Sequence, residues 1–151
     1  SVKEFAKEKY KVDIFKLESP VDSNELENNI SIETEVAFND LAKATSNKPW
    51  VVLSSGMGKK SFYKCLELAY KNGASGYLAG RTIWLDAFKN YPNISNVDKG
   101  LKTESVNYIN KLNDLTSRNA HSLDTYFANG FKIKDPENFT KDFGDFKWLD
   151  I

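Results

Sequence analysis

Short apolar runs alternate along this chain with longer stretches of helical periodicity. Residues 12–20 read Val-Asp-Ile-Phe-Lys-Leu-Glu-Ser-Pro, apolar and β-branched enough for a short strand that Pro20 closes. Successive strand side chains point to opposite faces, so Val12, Ile14, Lys16 and Glu18 share one face and Asp13, Phe15, Leu17 and Ser19 the other. Residues 20–30 are polar and read as a loop. Ser31 is placed to cap a helix running towards Thr45, with Ile32, Val36, Ala37, Leu41 and Ala44 on one side; Ser46-Asn47-Lys48-Pro49 stops it. Trp50-Val51-Val52-Leu53 is apolar without alternation, as expected for a parallel strand covered on both faces, and it ends in Ser54-Ser55-Gly56-Met57-Gly58. A helix over 61–70 carries Phe62, Cys65, Leu66 and Ala69 at helical spacing and stops at Asn72-Gly73. A third strand over 76–79 ends in Gly80-Arg81. The helix over 82–90 that follows carries Ile83, Trp84, Ala87 and Phe88, and Tyr91-Pro92-Asn93 ends it. Residues 98–100 lead into an amphipathic helix over 105–118 with Val106, Ile109, Leu112 and Leu115, and a last helical piece covers 122–128. At the front, Val2, Phe5 and Ala6 are spaced for a helix face over 1–10 that runs into the first strand, so the chain reads as beginning part-way through a larger unit.

Strand–helix units at this spacing argue an α/β fold, a parallel sheet with right-handed crossovers. In that class ligands bind beyond the carboxyl ends of the strands. Residues 1–128 are expected to form this body. Residues 129–151 form a tail rich in spaced aromatics (Phe139, Phe143, Phe146, Trp148) expected to dock on the parent domain or a partner. The sequence holds no solenoid-period repeat and no low-complexity segment.

Composition narrows the class. The 151 residues suffice for one domain with a real core. Lys+Arg and Asp+Glu balance at 21 each, so nothing global points to nucleic acid. A single cysteine, Cys65, excludes an internal disulfide, and a single histidine, His121, argues against a His-based zinc site or a Ser-His-Asp triad. No apolar run is long enough to span a membrane and the first residues are charged, which makes a cytoplasmic location the default and a membrane partner unexpected.

Three features carry candidate chemistry, each with a plain structural alternative. A lysine held in a covered strand costs several kcal/mol unless it is neutral or paired, and a neutral amine is the form that attacks a ketone. Lys16 is therefore a candidate Schiff-base nucleophile. The alternative is an edge strand with Lys16 in water or paired to Glu18, whose carboxylate favours the charged amine. The glycines of 54–58 let backbone N–H groups approach an anion next to a helix start; the alternative is a flexible turn, and the Walker A frame is absent. Arg81 stands where a strand ends and a helix begins, placed for fork-like phosphate binding or for a surface ion pair. A Gly loop after one strand and Gly80-Arg81 after the next together match the phosphate site of (β/α)8 barrels. Trp50 and Trp84 read as core, Cys65 as an inert core thiol, and His121 as structural or exposed.

These residues resemble one family. The run from Val12 to Asp22 is similar to the V-D-V-[FL]-K-[VL]-E-x-P-V-D segment of the tagatose 1,6-bisphosphate aldolases, class I (β/α)8 aldolases related to the sulfofructose-phosphate aldolases. Lys48 to Gly56 resembles that family's "P-[WY]-[IV]-x-L-S-[AS]-G". Gly76 to Trp84 resembles "G-[VY]-L-x-G-R-[AT]-x-W", and 110–115 its "L-N-x-[VL]-L" helix. The similarity runs in register from about Ser1 to about Leu123; the tail matches no pattern.

The resemblance implies the C-terminal portion of a TIM barrel, with three parallel strands, their helices and further C-terminal helices. It implies Lys16 as the iminium-forming lysine, Glu18 as its inward polar neighbour, and Ser55, Gly56, Gly80 and Arg81 as the phosphate site. The substrate would be a phosphorylated ketose, tagatose 1,6-bisphosphate, cleaved to dihydroxyacetone phosphate and glyceraldehyde 3-phosphate. Sulfofructose phosphate, or a non-catalytic phosphate-binding module, is the alternative. No metal or cofactor is implied, because the iminium serves as the electron sink. A full barrel takes about 250 residues, and the family's acid/base glutamate on the preceding strand is not in this sequence. Little activity is therefore expected of the chain alone, and association with a second copy or with an N-terminal half is expected through the exposed strand edge.

Overall fold

The computed structural model describes residues 1–27 and 30–127. Three strands, β1 (Phe15–Leu17), β2 (Trp50–Leu53) and β3 (Gly76–Leu78), form one parallel sheet in the order β1-β2-β3 among the described residues. The register pairs Phe15 with Trp50, Lys16 with Val51 and Leu17 with Val52; Val51 then pairs with Gly76, Val52 with Tyr77 and Leu53 with Leu78. The α/β reading with three parallel strands therefore holds. The first strand is shorter than its apolar run, because only 15–17 find a ladder partner in β2.

Helices cover one face of this sheet. Trp50 and Val52 are buried, with Phe15 beside them, whereas Val51 and Leu53 are only half-buried. The expectation of a central strand covered on both faces is thus corrected: the described helices pack on the Trp50 side alone. The core lies between that face and α4 (Lys59–Lys71), whose Phe62, Cys65, Leu66 and Ala69 have no solvent exposure. This is the amphipathic stripe the sequence predicts, although the helix begins two residues earlier. Asn72 and Gly73 (φ 85°) end it as expected. Against α4 lies α7 (Val106–Asn119), which buries Leu112 and Tyr108 and whose Thr116 hydroxyl meets the Tyr70 hydroxyl at 2.7 Å.

Several elements depart from the sequence reading. The front of the chain is a broken pair of turns, α1 (Val2–Phe5) and a 3-10 turn (Glu8–Tyr10), because Lys7 is extended (φ −65°, ψ 140°). Residues 20–30 are no mere loop: α2 (Ser23–Glu27) drives Leu26 fully into the core against α4. In α3 (Ile32–Ala44) Ser31 caps as predicted, accepting from the Thr34 N–H at 3.2 Å. The buried face, however, is Thr34, Phe38 and Ala44, and Ile32 and Val36 stand in solvent. After β3 come α5 (Arg81–Phe88) and α6 (Ile94–Gly100), the latter unforeseen. A π-helical turn (Leu101–Ser105) joins α6 to α7, and a 3-10 turn (Leu123–Thr125) replaces the start of the last helical piece. Gly100 suits this close packing, since a Cβ there would sit 3.2 Å from the Ala87 Cα and press α5 away. Trp50 is core as expected; Trp84 is not, being 39% exposed. The aromatic tail lies outside the described residues. No helix among them is long and apolar enough to cross a membrane.

Truncation separates the two possible faces of α3. Phe38→Ala should lower the unfolding free energy by about 3–5 kcal/mol, whereas Ile32→Ala should change it by less than about 0.5 kcal/mol. Urea unfolding of the two variants checks this, and a larger loss at Ile32 would restore the other face.

Candidate functional site

The carboxyl ends of β2 and β3 meet in a cleft of about 500 Å³ lined by Glu18, Ser55, Gly56, Gly80, Arg81 and Trp84 among others. A second cleft of about 280 Å³ adjoins it, shares Glu18, Ser55 and Gly56, and reaches Ser19, Asp22 and Ser23 at the start of α2. Five of the six residues singled out by the sequence thus converge on one place.

The β2–α4 turn builds its floor. Ser55 (φ 47°) and Gly56 (φ 82°) are both left-handed, the two central residues of a tight turn over 54–57. Neither residue makes a hydrogen bond among the described residues. Two bonds hold the turn in place: Ser54 donates its N–H to the Leu78 carbonyl at 3.0 Å, and the Met57 N–H returns to the Ser54 carbonyl at 2.8 Å. The buried Thr82 hydroxyl donates to the Met57 carbonyl at 2.7 Å, which ties the start of α5 to the same turn.

Arg81 is the first residue of α5, with Gly80 as its N-cap. Its guanidinium lies across Gly56: a Cβ built there would be 3.4 Å from the guanidinium carbon and from one of its terminal nitrogens. Arg81 has no carboxylate within ion-pair distance among the described residues. A planar fork of donors, a turn with two unpaired N–H groups and the positive end of α5 thus border one cavity, a combination suited to a phosphate or sulfonate. Glu18 at the rim carries the opposite sign. It suits a hydroxyl or a proton-transfer role better than an anion.

Lys16 stands apart from the cleft. It is exposed, in the middle of β1, on the uncovered face with Val51 and Gly76. Glu18, two residues on, shares that face and connects it to the cleft. The expected alternation along β1 is observed, with Phe15 buried and Lys16 out, but no described residue shields the amine. Ile14, Val51, Leu53 and Leu78 surround this face with exposed or half-exposed apolar surface. No group of three or more His, Cys, Asp or Glu among the described residues could hold a metal ion. Sequence reasoning missed Trp84, whose Nε1 lies 3.6 Å from where a Gly80 Cβ would be. Its place three residues after Arg81, one helical turn on, was the available signal.

Residues 3–86 match the DeoC/LacD family aldolase description. The chain is similar to tagatose 1,6-diphosphate aldolase 2 of Enterococcus faecalis, 31% identical over 136 residues that cover 80% of this chain and 40% of that protein. It is similar to tagatose 1,6-diphosphate aldolase 1 of the same organism, 34% identical over 93 residues, covering 57% and 29%. The tagatose 1,6-diphosphate aldolase of Listeria monocytogenes is 35% identical over 101 residues, covering 60% and 29%. The chain thus spans less than half the length of these relatives.

Cys65 beneath this site is inert chemistry. Burial in the core pushes its thiol up to about 11. The unfolded thiol ionises first as pH rises, so this group's contribution falls between about pH 9 and pH 11 and is constant below. Iodoacetamide at pH 8 should leave Cys65 unmodified in the native chain and alkylate it in urea; mass spectrometry of both samples checks this.

Proposed function

The chain belongs to the DeoC/LacD aldolase family, and from that premise we propose that it supplies the Schiff-base lysine and a phosphate site of a ketose-bisphosphate aldolase acting on tagatose 1,6-bisphosphate. The observation that carries this reading is the Arg81 guanidinium laid across Gly56 beside the unpaired N–H groups of Ser55 and Gly56. That site opens on the side of the sheet to which Glu18 and Lys16 belong.

In the proposed reaction the neutral Lys16 amine adds to the substrate's second carbon, and loss of water leaves an iminium. A base removes the proton of the hydroxyl on the fourth carbon. The bond between the third and fourth carbons breaks and its electron pair flows into the iminium, giving an enamine and free glyceraldehyde 3-phosphate. Protonation at the third carbon and hydrolysis release dihydroxyacetone phosphate and restore the amine. The iminium is the electron sink, so the step requires no metal. Glu18, on the Lys16 face, is proposed to carry protons between cleft and amine, and Ser55, Gly56, Gly80 and Arg81 to hold one phosphate.

Iminium formation needs an amine free of its proton and away from bulk water, and Lys16 lies on the open face of the sheet. The reading therefore includes a partner: further polypeptide, either the remainder of a barrel or a second copy, covers the apolar surface around Lys16. Removing water favours the neutral amine. The chain alone is then a weak catalyst or none.

Borohydride trapping tests this. Full-length protein incubated with dihydroxyacetone phosphate and reduced should carry the adduct mass on the Lys16 peptide, and Lys16→Ala should remove it. An unmodified Lys16 peptide in full-length protein sinks the Schiff-base assignment. Arg81→Ala should raise KM by about 10–100-fold with a smaller effect on kcat, as expected for a charge-assisted contact of roughly 1.5–3 kcal/mol.

A further inference from the structure

A groove of about 470 Å³ lies on the outer surface where α4 meets α7, lined by Lys59, Lys60, Tyr63, Lys64, Tyr108 and Lys111. It shares no residue with the clefts at the strand ends. Four ammonium groups and no carboxylate line it. Lys59 reaches out to Asp86 at 3.2 Å and Lys64 to Glu67 at 2.8 Å. Lys60 and Lys111 have no carboxylate partner among the described residues. Elsewhere the described surface usually supplies one: Lys48 meets Glu8 at 3.1 Å, Lys71 meets Glu35 at 2.7 Å, and Lys102 meets Asp98 at 2.8 Å.

The aromatic floor is ordered. The Lys111 ammonium sits 4.3 Å from the Tyr63 ring centre and the Lys59 ammonium 5.7 Å from that of Tyr108. Tyr108 donates its hydroxyl to the Lys59 carbonyl at 2.8 Å, which fixes its ring. The Tyr63 hydroxyl makes no hydrogen bond among the described residues and is free to donate.

A second observation points to an anion. The helix α4 opens with Lys59 and Lys60, its N-cap Gly58 offers no side-chain cap, and its first turn holds no acidic residue. The N-terminus is the positive end of a helix, so two lysines there oppose the macrodipole and leave the first N–H groups uncapped. Two carboxylates meet this helix start from other sides, Glu27 on the Ser61 hydroxyl at 2.8 Å and Asp86 on Lys59 at 3.2 Å; neither lines the groove, where Lys60 is left without one, and an anion there would oppose its charge and suit the helix end.

We propose that this groove binds a small, multiply charged oxyanion, a polyphosphate or a di- or triphosphate group on an organic ligand. Its volume is that of a small-ligand site. Its charge is confined to one groove of a chain with no net charge, which is unlike the extended basic stripe of a nucleic-acid surface.

Calorimetric titration of the chain with inorganic tripolyphosphate, and in a second arm with a nucleoside triphosphate, tests the proposal. Saturable binding is expected that weakens in about 0.15 M salt. Tripolyphosphate binding as tight as the nucleotide identifies the phosphate chain alone as the ligand; tighter nucleotide binding identifies an organic di- or triphosphate. Lys60→Glu with Lys111→Glu should raise Kd at least about ten-fold without lowering Tm, because acid is favoured at a helix start. The milder Lys60→Gln with Lys111→Gln should show the same direction at unchanged circular dichroism. Arg81→Ala, in the other anion site, should leave Kd within about two-fold. No saturable binding of either probe, or binding that Arg81→Ala abolishes and the lysine variants spare, overturns it.

Discussion

The alternation of side chains along the central strand constrains everything else. Trp50 and Val52 point into the helical layer, so Val51 and Leu53 must point away from it. Parallel pairing passes this parity to the neighbours: Phe15 goes in with Trp50, and Lys16, paired with Val51, is forced out. A slip of one residue would drive the Lys16 ammonium among Phe62 and Leu66, at a cost of several kcal/mol. The packing that makes the core is thus what keeps the lysine on the open face, beside Glu18. Stability and the site depend on one register.

The same sheet assembles the proposed anion cleft from parts that are weak alone. A left-handed Ser-Gly turn is common, and so is an arginine at a helix start. What makes a site of them is the clamp between the two loops, through Thr82 to the Met57 carbonyl and Ser54 to the Leu78 carbonyl. Glycine at 56 suits the turn because its φ of 82° disfavours any side chain, and the Arg81 guanidinium lies within van der Waals reach of where a Cβ would be. The proposed donors already stand around one cleft, which would lower the ordering entropy of binding.

Much of this was legible in the sequence. Apolar runs located β2 and β3, and helical spacing located α4 with its correct buried face. Phase was harder than periodicity. In α3 two stripes, Ile32-Val36 and Thr34-Phe38, both have helical spacing, and the larger ring went inside. Leu26 alone, in a polar stretch, gave no periodic signal for α2; only its tertiary contact with α4 explains that helix. Glycines and Arg81 revealed the cleft because turn chemistry is local. The surroundings of Lys16 were not legible, because what covers that face is not decided by residues near it in sequence. Trp84 was assigned to the core for the ordinary reason that tryptophan is usually inside, but one turn beyond Arg81 it lines the cleft instead.

Two surfaces of this chain carry unneutralised cations around a cavity, and they are built on different principles. The inner cleft uses one planar guanidinium held on a glycine, with backbone donors at fixed angles, which discriminates geometry and suits a single tetrahedral group. The outer groove uses several flexible ammonium groups over tyrosine faces, which discriminate charge density more than shape. The inner cleft lies at the strand ends, beside Glu18. The outer groove lies on α4 and α7, with the helical layer between it and the sheet. Yet both sites share an element. The β2–α4 turn that supplies Ser55 and Gly56 leads directly through Gly58 into Lys59 and Lys60.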